Sequence, residues 1–262
     1  MERLYLTLLE LYDELKRICE VLNIDCFAVD GTLLGAIRHK GFIPWDDDMD
    51  FGMFREEYDV FFERAPKIVS DNFFIQTYKT DKYWYKPYIK IRKKGTLAVE
   101  PGQMDLNINH GISIDIFPFD KINSKSSKRK KELLRFICYL RLRRPRNISF
   151  KYRLVSFLSL IIFPIRNQAN QTLYRLATKN NNKEDVDSFF CVYNSFYATE
   201  YVYNINLFLR GGFVIIPFEN TTIKIPANFD YILSHEYGDY MSFPSEEKRK
   251  PKHIIDYRFD LN

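Results

Sequence analysis

Cysteine is scarce in this chain of 262 residues: Cys19, Cys26, Cys138 and Cys191 stand far apart, and no two form a C-x-x-C pair. That excludes a zinc knuckle and a disulfide framework, and it fits a reducing cytoplasm. Histidine is as scarce. His39, His110, His235 and His253 make no H-x-x-x-H or His-Cys spacing, so nothing argues for zinc. Long apolar runs are also missing. The longest uncharged stretch considered, Leu154 to Ile165, has twelve residues, whereas a membrane-spanning helix needs about 20. No basic flank followed by a long apolar stretch opens the chain. Instead Leu4, Leu8, Leu11, Leu15, Ile18 and Leu22 recur among charged residues, which predicts an amphipathic helix and not a signal peptide.

What is present is enough for a packed interior, with 46% hydrophobic and 16% aromatic residues. The net charge of +5 is unevenly spread. Residues 121–153 carry thirteen Lys or Arg against the single acid Glu132, or +12, which leaves −7 for the rest. This basic module runs into the uncharged Leu154–Ile165 stretch. A buried core helix accounts for that stretch; so does a peripheral patch over 121–165, in which basic side chains meet anionic head groups at the inner face of the membrane. A nucleic-acid arm has the least support, because no RNA- or DNA-reading motif accompanies the charge.

The densest chemistry lies in FIPWDDDMDFGM, Phe42 to Met53. In an extended segment Asp46, Asp48 and Asp50 share one face while Asp47 and Met49 take the other. Same-face carboxylates then sit roughly 6–7 Å apart along the backbone, close enough to converge on one hard cation. A solvated acidic turn is the plainer alternative, but the flanks are apolar and aromatic. Asp115, in the apolar run ISIDIFPF, is a second acid in core-like surroundings, and such charges are usually paired or metal-bound.

Around these runs the pattern predicts a short strand at Ile24 to Asp30, then a tight turn and helix ended by Gly41. A helix follows near Phe54 to Val69, then strands in FFIQTYK, YWYKPYIKIRKK and ISIDIFPF. From Asn123 to about Asn206 the patterns are helical and basic. Beyond them come a hairpin of GFVIIPF and TTIKIP and a helix closed by Gly238. The fold class is therefore α+β, a small mixed sheet with flanking helices.

Together, DGTLLGAIRHKGFIPWDDDMDFGM, HGISIDIFPFD and HEYGDYMSFPSEEKR resemble the LicD family of phosphocholine transferases, related to the fukutin-type ribitol-phosphate transferases. The resemblance implies a nucleotidyltransferase-type fold, with a core over 1–120, a basic helical insertion over 121–205 and a completing part over 206–262. It implies that Gly31 and Thr32 form the phosphate turn, with Thr32 where the superfamily usually has Gly or Ser. Asp48, Asp50 and Asp115 would be the catalytic acids and hold Mg²⁺ or Mn²⁺. The donor would be CDP-choline or another CDP-alcohol, and the acceptor a sugar hydroxyl on a lipid-linked or capsular glycan.

Phosphoryl transfer also asks for cations. Lys90 and Arg92 on one face of a strand, with Lys86 farther along it, and Arg38, His39 and Lys40 are the candidates, and Asp46 is given a supporting place behind the metal ligands. Asp115 has two jobs open to it, metal ligand or base toward the acceptor hydroxyl. Tyr83, Trp84 and Tyr85 are among many rings suited to a quaternary ammonium, and Tyr237, Asp239, Tyr240 and Pro244 are expected to close one wall of the pocket. Two other readings stay open: a nucleotidyltransferase that moves the nucleotide itself, and a non-catalytic protein of the membrane surface.

Overall fold

The computed structural model describes residues 1–122, 187–191 and 202–260, apart from 85, 87, 102, 105 and 252. The apolar stretch 154–165 and nearly all of the basic module lie outside the described residues, as does Tyr85. Among the described residues no helix is long and apolar enough to cross a membrane.

Helix α1, Glu2–Leu22, buries its whole leucine stripe and stops at Asn23, which turns left-handed at φ 52°. Strand β1 is only Phe27–Ala28, shorter than its sequence suggests, and α2 starts at Asp30 and runs to Arg38. Gly31 thus sits inside the first turn of α2, where the sequence pattern predicts a turn ahead of the helix. Strand β2, Asp50–Phe54, leads directly into α3, Arg55–Arg64, and Pro66 sits in a 3₁₀ turn, Ala65–Lys67.

β3 is Phe73–Gln76, β4 is Ile89–Lys93 and β5 is Leu97–Val99, while β6 runs for ten residues, Ser113–Ile122. β7, Ser188–Cys191, and β8, Val202–Asn204, come next. The short helix α4, Ile205–Phe208, the hairpin of β9, Phe213–Phe218, and β10, Thr221–Pro226, then α5, Phe229–Tyr237, and β11, Asp256–Arg258, complete the described elements. The protein is a mixed α+β fold.

The main sheet has the order β1-β2-β6-β4-β3, with β7 also pairing β6 and β8 pairing β7. Among the described residues only β2 and β6 pair in parallel. β7 and β8 are strands within a segment whose pattern reads as helical; short apolar runs such as SFFC fit either period until a neighbouring strand offers its edge. Sequence-distant ends meet at two further places: β11 pairs β5 in antiparallel fashion, and α5 packs on α2.

Glu14 ties α1 to the loop after α3. Its buried carboxylate accepts from Arg17 at 2.6 and 2.9 Å, and from the Ser70 amide and hydroxyl at 2.8 and 2.9 Å. Burial pushes this carboxyl up, but the Arg17 and Ser70 hydrogen bonds outweigh it and hold it below the ordinary glutamate range. The folded state therefore favours the ionised form. That stability is present above the ordinary glutamate range and is lost as pH falls through it. Glu14→Gln is expected to cost about 1.5–3 kcal/mol at neutral pH. In urea titrations the gap from wild type should narrow steadily in acid.

Candidate active site

Register builds the centre of the site. Asp115 is the Cα partner of Asp50 across the parallel β2/β6 pair and of Lys90 across the antiparallel β4/β6 pair. One row across three strands thus reads Asp50, Asp115, Lys90. Lys90 Nζ lies 2.5 Å from Asp115 Oδ1 and 3.0 Å from Glu100 Oε1. The Asp115 amide donates to the Met49 carbonyl at 2.9 Å, so the segment before β2 is laid along β6 as well.

That segment is extended, and its burial alternates as its spacing predicts. Met49 and Asp47 are 0% and 2% exposed, while Asp46, Asp48 and Asp50 line an open cleft of about 570 Å³. A turn closed by the Asp46 amide on the Ile43 carbonyl at 2.8 Å starts it. Asp47 is an anchor: it accepts from the backbone amides of His253 at 3.2 Å and Ile254 at 2.8 Å, which fastens the C-terminal segment beneath the cleft. His253 Nδ1 then reaches Asp48 at 2.9 Å.

The electrostatics are those of crowded carboxylates. Burial, and then the charges of Asp48, Asp30, Asp115 and Asp46, push Asp50 well above the ordinary aspartate range. Burial and the Asp48 charge do the same to Asp46. Burial also raises Asp48, but the His253 hydrogen bond and charge outweigh it and hold it low. For His253 burial favours the neutral ring, and Asp48, Asp47 and Asp46 override it, lifting the imidazole to about 9. One imidazolium does not balance this many acids, and a divalent cation would.

The donor set fits one. Ligand atoms of Asp46, Asp47, Asp48 and His253 all lie within 4.8 Å of one another, and carboxylate oxygens are the donors that Mg²⁺ and Mn²⁺ prefer. Asp50 and Asp115 adjoin this group through the sheet register.

The other residues singled out in the sequence divide. Gly31 lines the cleft, and a Cβ there would lie 2.6 Å from Asp46 Oδ2, so any larger residue would push this carboxylate aside. Gly31→Ala should displace Asp46 and lower turnover more than tenfold with little change in far-UV circular dichroism. Thr32 is buried, and its hydroxyl accepts from the Asp50 amide at 2.8 Å; it fixes the start of β2 and does not face the cleft.

Arg38 lines the cleft. His39 does not: its Nε2 accepts from Arg38 Nε at 3.0 Å, and burial followed by the Arg38 charge pushes its ring below the usual range. Lys40 lies outside the lining at φ 59°, ending the turn after α2. Arg92 is 1% exposed, donating to Gln76 and the Gly111 carbonyl at 2.6 Å each. Lys86 pairs with Glu100 at 2.8 Å. Trp84 is fully buried, donating to the Tyr88 carbonyl, away from the cleft.

Tyr237, Asp239, Tyr240 and Pro244 do form one wall of the cleft. The structure adds Asp30, Lys248, Lys250 and His253 to it. Asp30 opens α2 at φ 49° and accepts from Tyr237 Oη at 2.5 Å. No local spacing links Lys248, Lys250 and His253 to the acids, because the segment after α5 brings them from far along the chain.

Comparison with known proteins gives the chain its relatives. The family model described as LicD/FKTN/FKRP, nucleotidyltransferase domain, matches residues 23–163. The lipopolysaccharide cholinephosphotransferase LicD of Haemophilus influenzae is 28% identical over 264 aligned positions, spanning 95% of this chain and 94% of that protein. Uncharacterized proteins of Rickettsia prowazekii and Rickettsia typhi are each 48% identical over 52 residues, or 19% of this chain and 20% and 17% of theirs.

Proposed function

The chain belongs to the LicD/FKTN/FKRP family, and from that premise we propose that it is a metal-dependent transferase. It would move phosphocholine, or a similar alcohol phosphate, from a CDP-linked donor to a sugar hydroxyl of a cell-surface glycan. The observation that carries this reading is the convergence of Asp46, Asp48 and Asp50 on one cleft, with Asp115 opposite Asp50. The name of the Haemophilus relative supplies the phosphocholine and the glycan.

In this reading Asp48 and Asp50 hold Mg²⁺ or Mn²⁺, Asp46 sits beside them, and Asp115 completes the carboxylate set with Lys90 as its counter-ion. A divalent ion bound there would offset the charge of the donor phosphates and of the departing CMP. Asp47 and His253 position Asp48. The acceptor oxygen bonds to the choline-bearing phosphorus, the bond from that phosphorus to the CMP oxygen breaks, and the hydroxyl proton passes to a carboxylate of the cleft. Alignment and charge balance dominate such a reaction.

Residues 1–120 and 206–262 are read as one catalytic unit, interrupted by a basic insertion over 121–205; the pairing of β11 with β5 supports joining its two ends. Residues 121–165, with +12 over 121–153, are read as a contact with anionic lipid. The protein should sediment with anionic liposomes, and that binding should weaken as salt rises.

Incubating the protein with Mg²⁺ and a panel of CDP-alcohols tests the central reading. Release of CMP from one of them is expected. Release of pyrophosphate from a nucleoside triphosphate and an alcohol phosphate, with no CMP from any CDP-alcohol, would overturn it in favour of nucleotidyl transfer.

A further inference from the structure

The cleft lining carries both signs: besides the acids it holds Arg38 from α2 and, from the 246–250 segment, Lys248 and Lys250, with Arg249 between them in sequence. Two of these cations share one ring: the guanidinium carbons of Arg38 and Arg249 lie 5.0 and 5.4 Å from the centre of Phe243, and Arg249 is also 5.7 Å from that of Trp45. Arg38 is held at Nε, which donates to His39 Nε2 at 3.0 Å, and at Nη1, whereas Arg249 is held at Nε alone. Arg38 donates to the carbonyls of Tyr240 at 2.9 Å and Ser242 at 3.3 Å, and Arg249 Nε donates to the Pro244 carbonyl at 2.9 Å.

Among the described residues no carboxylate lies within ion-pair distance of Arg38, Arg249, Lys248 or Lys250. Burial, and the neighbouring Arg249 charge, weaken the hold of Arg38 on its proton. Like charges gathered on one ring without a counter-ion are costly, and a planar fork with free terminal N–H groups suits phosphate oxygens. The basic residues nearest Asp115 are committed elsewhere: Lys90 and Lys86 pair with Glu100, and Arg92 is enclosed.

We propose that Arg38 and Arg249, which share the Phe243 ring and are flanked by Lys248 and Lys250, form the subsite that grips the diphosphate of the donor. The assignment rests on the reading of the donor as a nucleotide-diphosphate ester. It places diphosphate recognition on the C-terminal segment, whose position is fixed by Asp47 and His253. A bound ion and the guanidinium pair would then hold the same group.

Inorganic pyrophosphate in the presence of Mg²⁺ is the probe, and Trp45 is the reporter. Trp45 lines the cleft, while Trp84, the other tryptophan, is fully buried. Saturable quenching is expected in the full chain. Arg249→Gln and the pair Lys248→Gln with Lys250→Gln should each weaken it about tenfold or more, and Arg249→Lys should recover only part of the loss. The melting-temperature shift given by Mn²⁺ alone should stay as in wild type.

Pyrophosphate affinity unchanged in both variants would overturn the assignment, as would CMP release with unchanged KM. Weakened pyrophosphate binding with no CMP from any CDP-alcohol would keep the clamp and reject the donor.

Discussion

Asp50→Asn is expected to lower turnover at least about 10³-fold, the scale of losing a charge-stabilising group at a phosphoryl-transfer site, while raising the melting temperature of the cation-free protein. The second effect follows from the sign of its pKa. A carboxyl pushed up by burial and by Asp48, Asp30, Asp115 and Asp46 is one whose ionised form the fold disfavours. At neutral pH Asp50 therefore destabilises the protein until a cation arrives, and an amide of the same shape removes the repulsion.

Asp48→Asn should behave differently. Asp48 is held low by His253, so its loss breaks an ion pair and lowers the melting temperature as it abolishes turnover. Wild type should gain about 2.7 kcal/mol at a hundredfold excess of Mn²⁺ over its dissociation constant, and both variants should lose most of that gain. Thermal melts with and without Mn²⁺, read beside CMP release, check these statements. Turnover surviving in Asp50→Asn, or a Mn²⁺ shift as large as that of wild type in both variants, would remove these acids from the reaction.

Much of this was legible in the chain and some was not, for identifiable reasons. The alternation of Asp46 to Asp50 needs only the two-residue period of extended backbone, and the burial of Asp47 and Met49 bears it out. The leucine stripe of α1 and the hairpin of β9 and β10, with its two-residue loop at Glu219-Asn220, are local patterns of the same kind. The meeting of Asp50 with Asp115 is not local. It requires the parallel pairing of β2 with β6, a register that no spacing encodes.

His253 is farther still from Asp48 in sequence, and its backbone is placed by Asp47. Side chains of one type also part company once folded. On β4, Lys90 reaches Asp115, while Arg92, two residues on along the same face, is sealed against Gln76 and Gly111.

Arg92→Met is accordingly expected to cost about 3–5 kcal/mol, the range for removing one partner from a buried charged network. At 1% exposed, the guanidinium donates to Gln76 Oε1 and to the Gly111 carbonyl, sits 3.6 Å from Glu100, and stacks on Trp84 at 5.6 Å. Methionine fills most of that volume but gives no hydrogen bond. Two acceptors, Gln76 Oε1 and the Gly111 carbonyl, would then lose this donor, and each such group carries its own desolvation penalty.

Lysine would fail too, because a point charge on a flexible stem cannot satisfy Gln76 and Gly111 at once. The urea midpoint should fall sharply in both variants. Activity per folded molecule should fall far less than in Asp50→Asn, because Arg92 is enclosed against Gln76 and Gly111 and does not line the cleft. A variant as stable as wild type but unable to bind pyrophosphate would instead make Arg92 a phosphate ligand, and the division of labour along β4 would have to be redrawn.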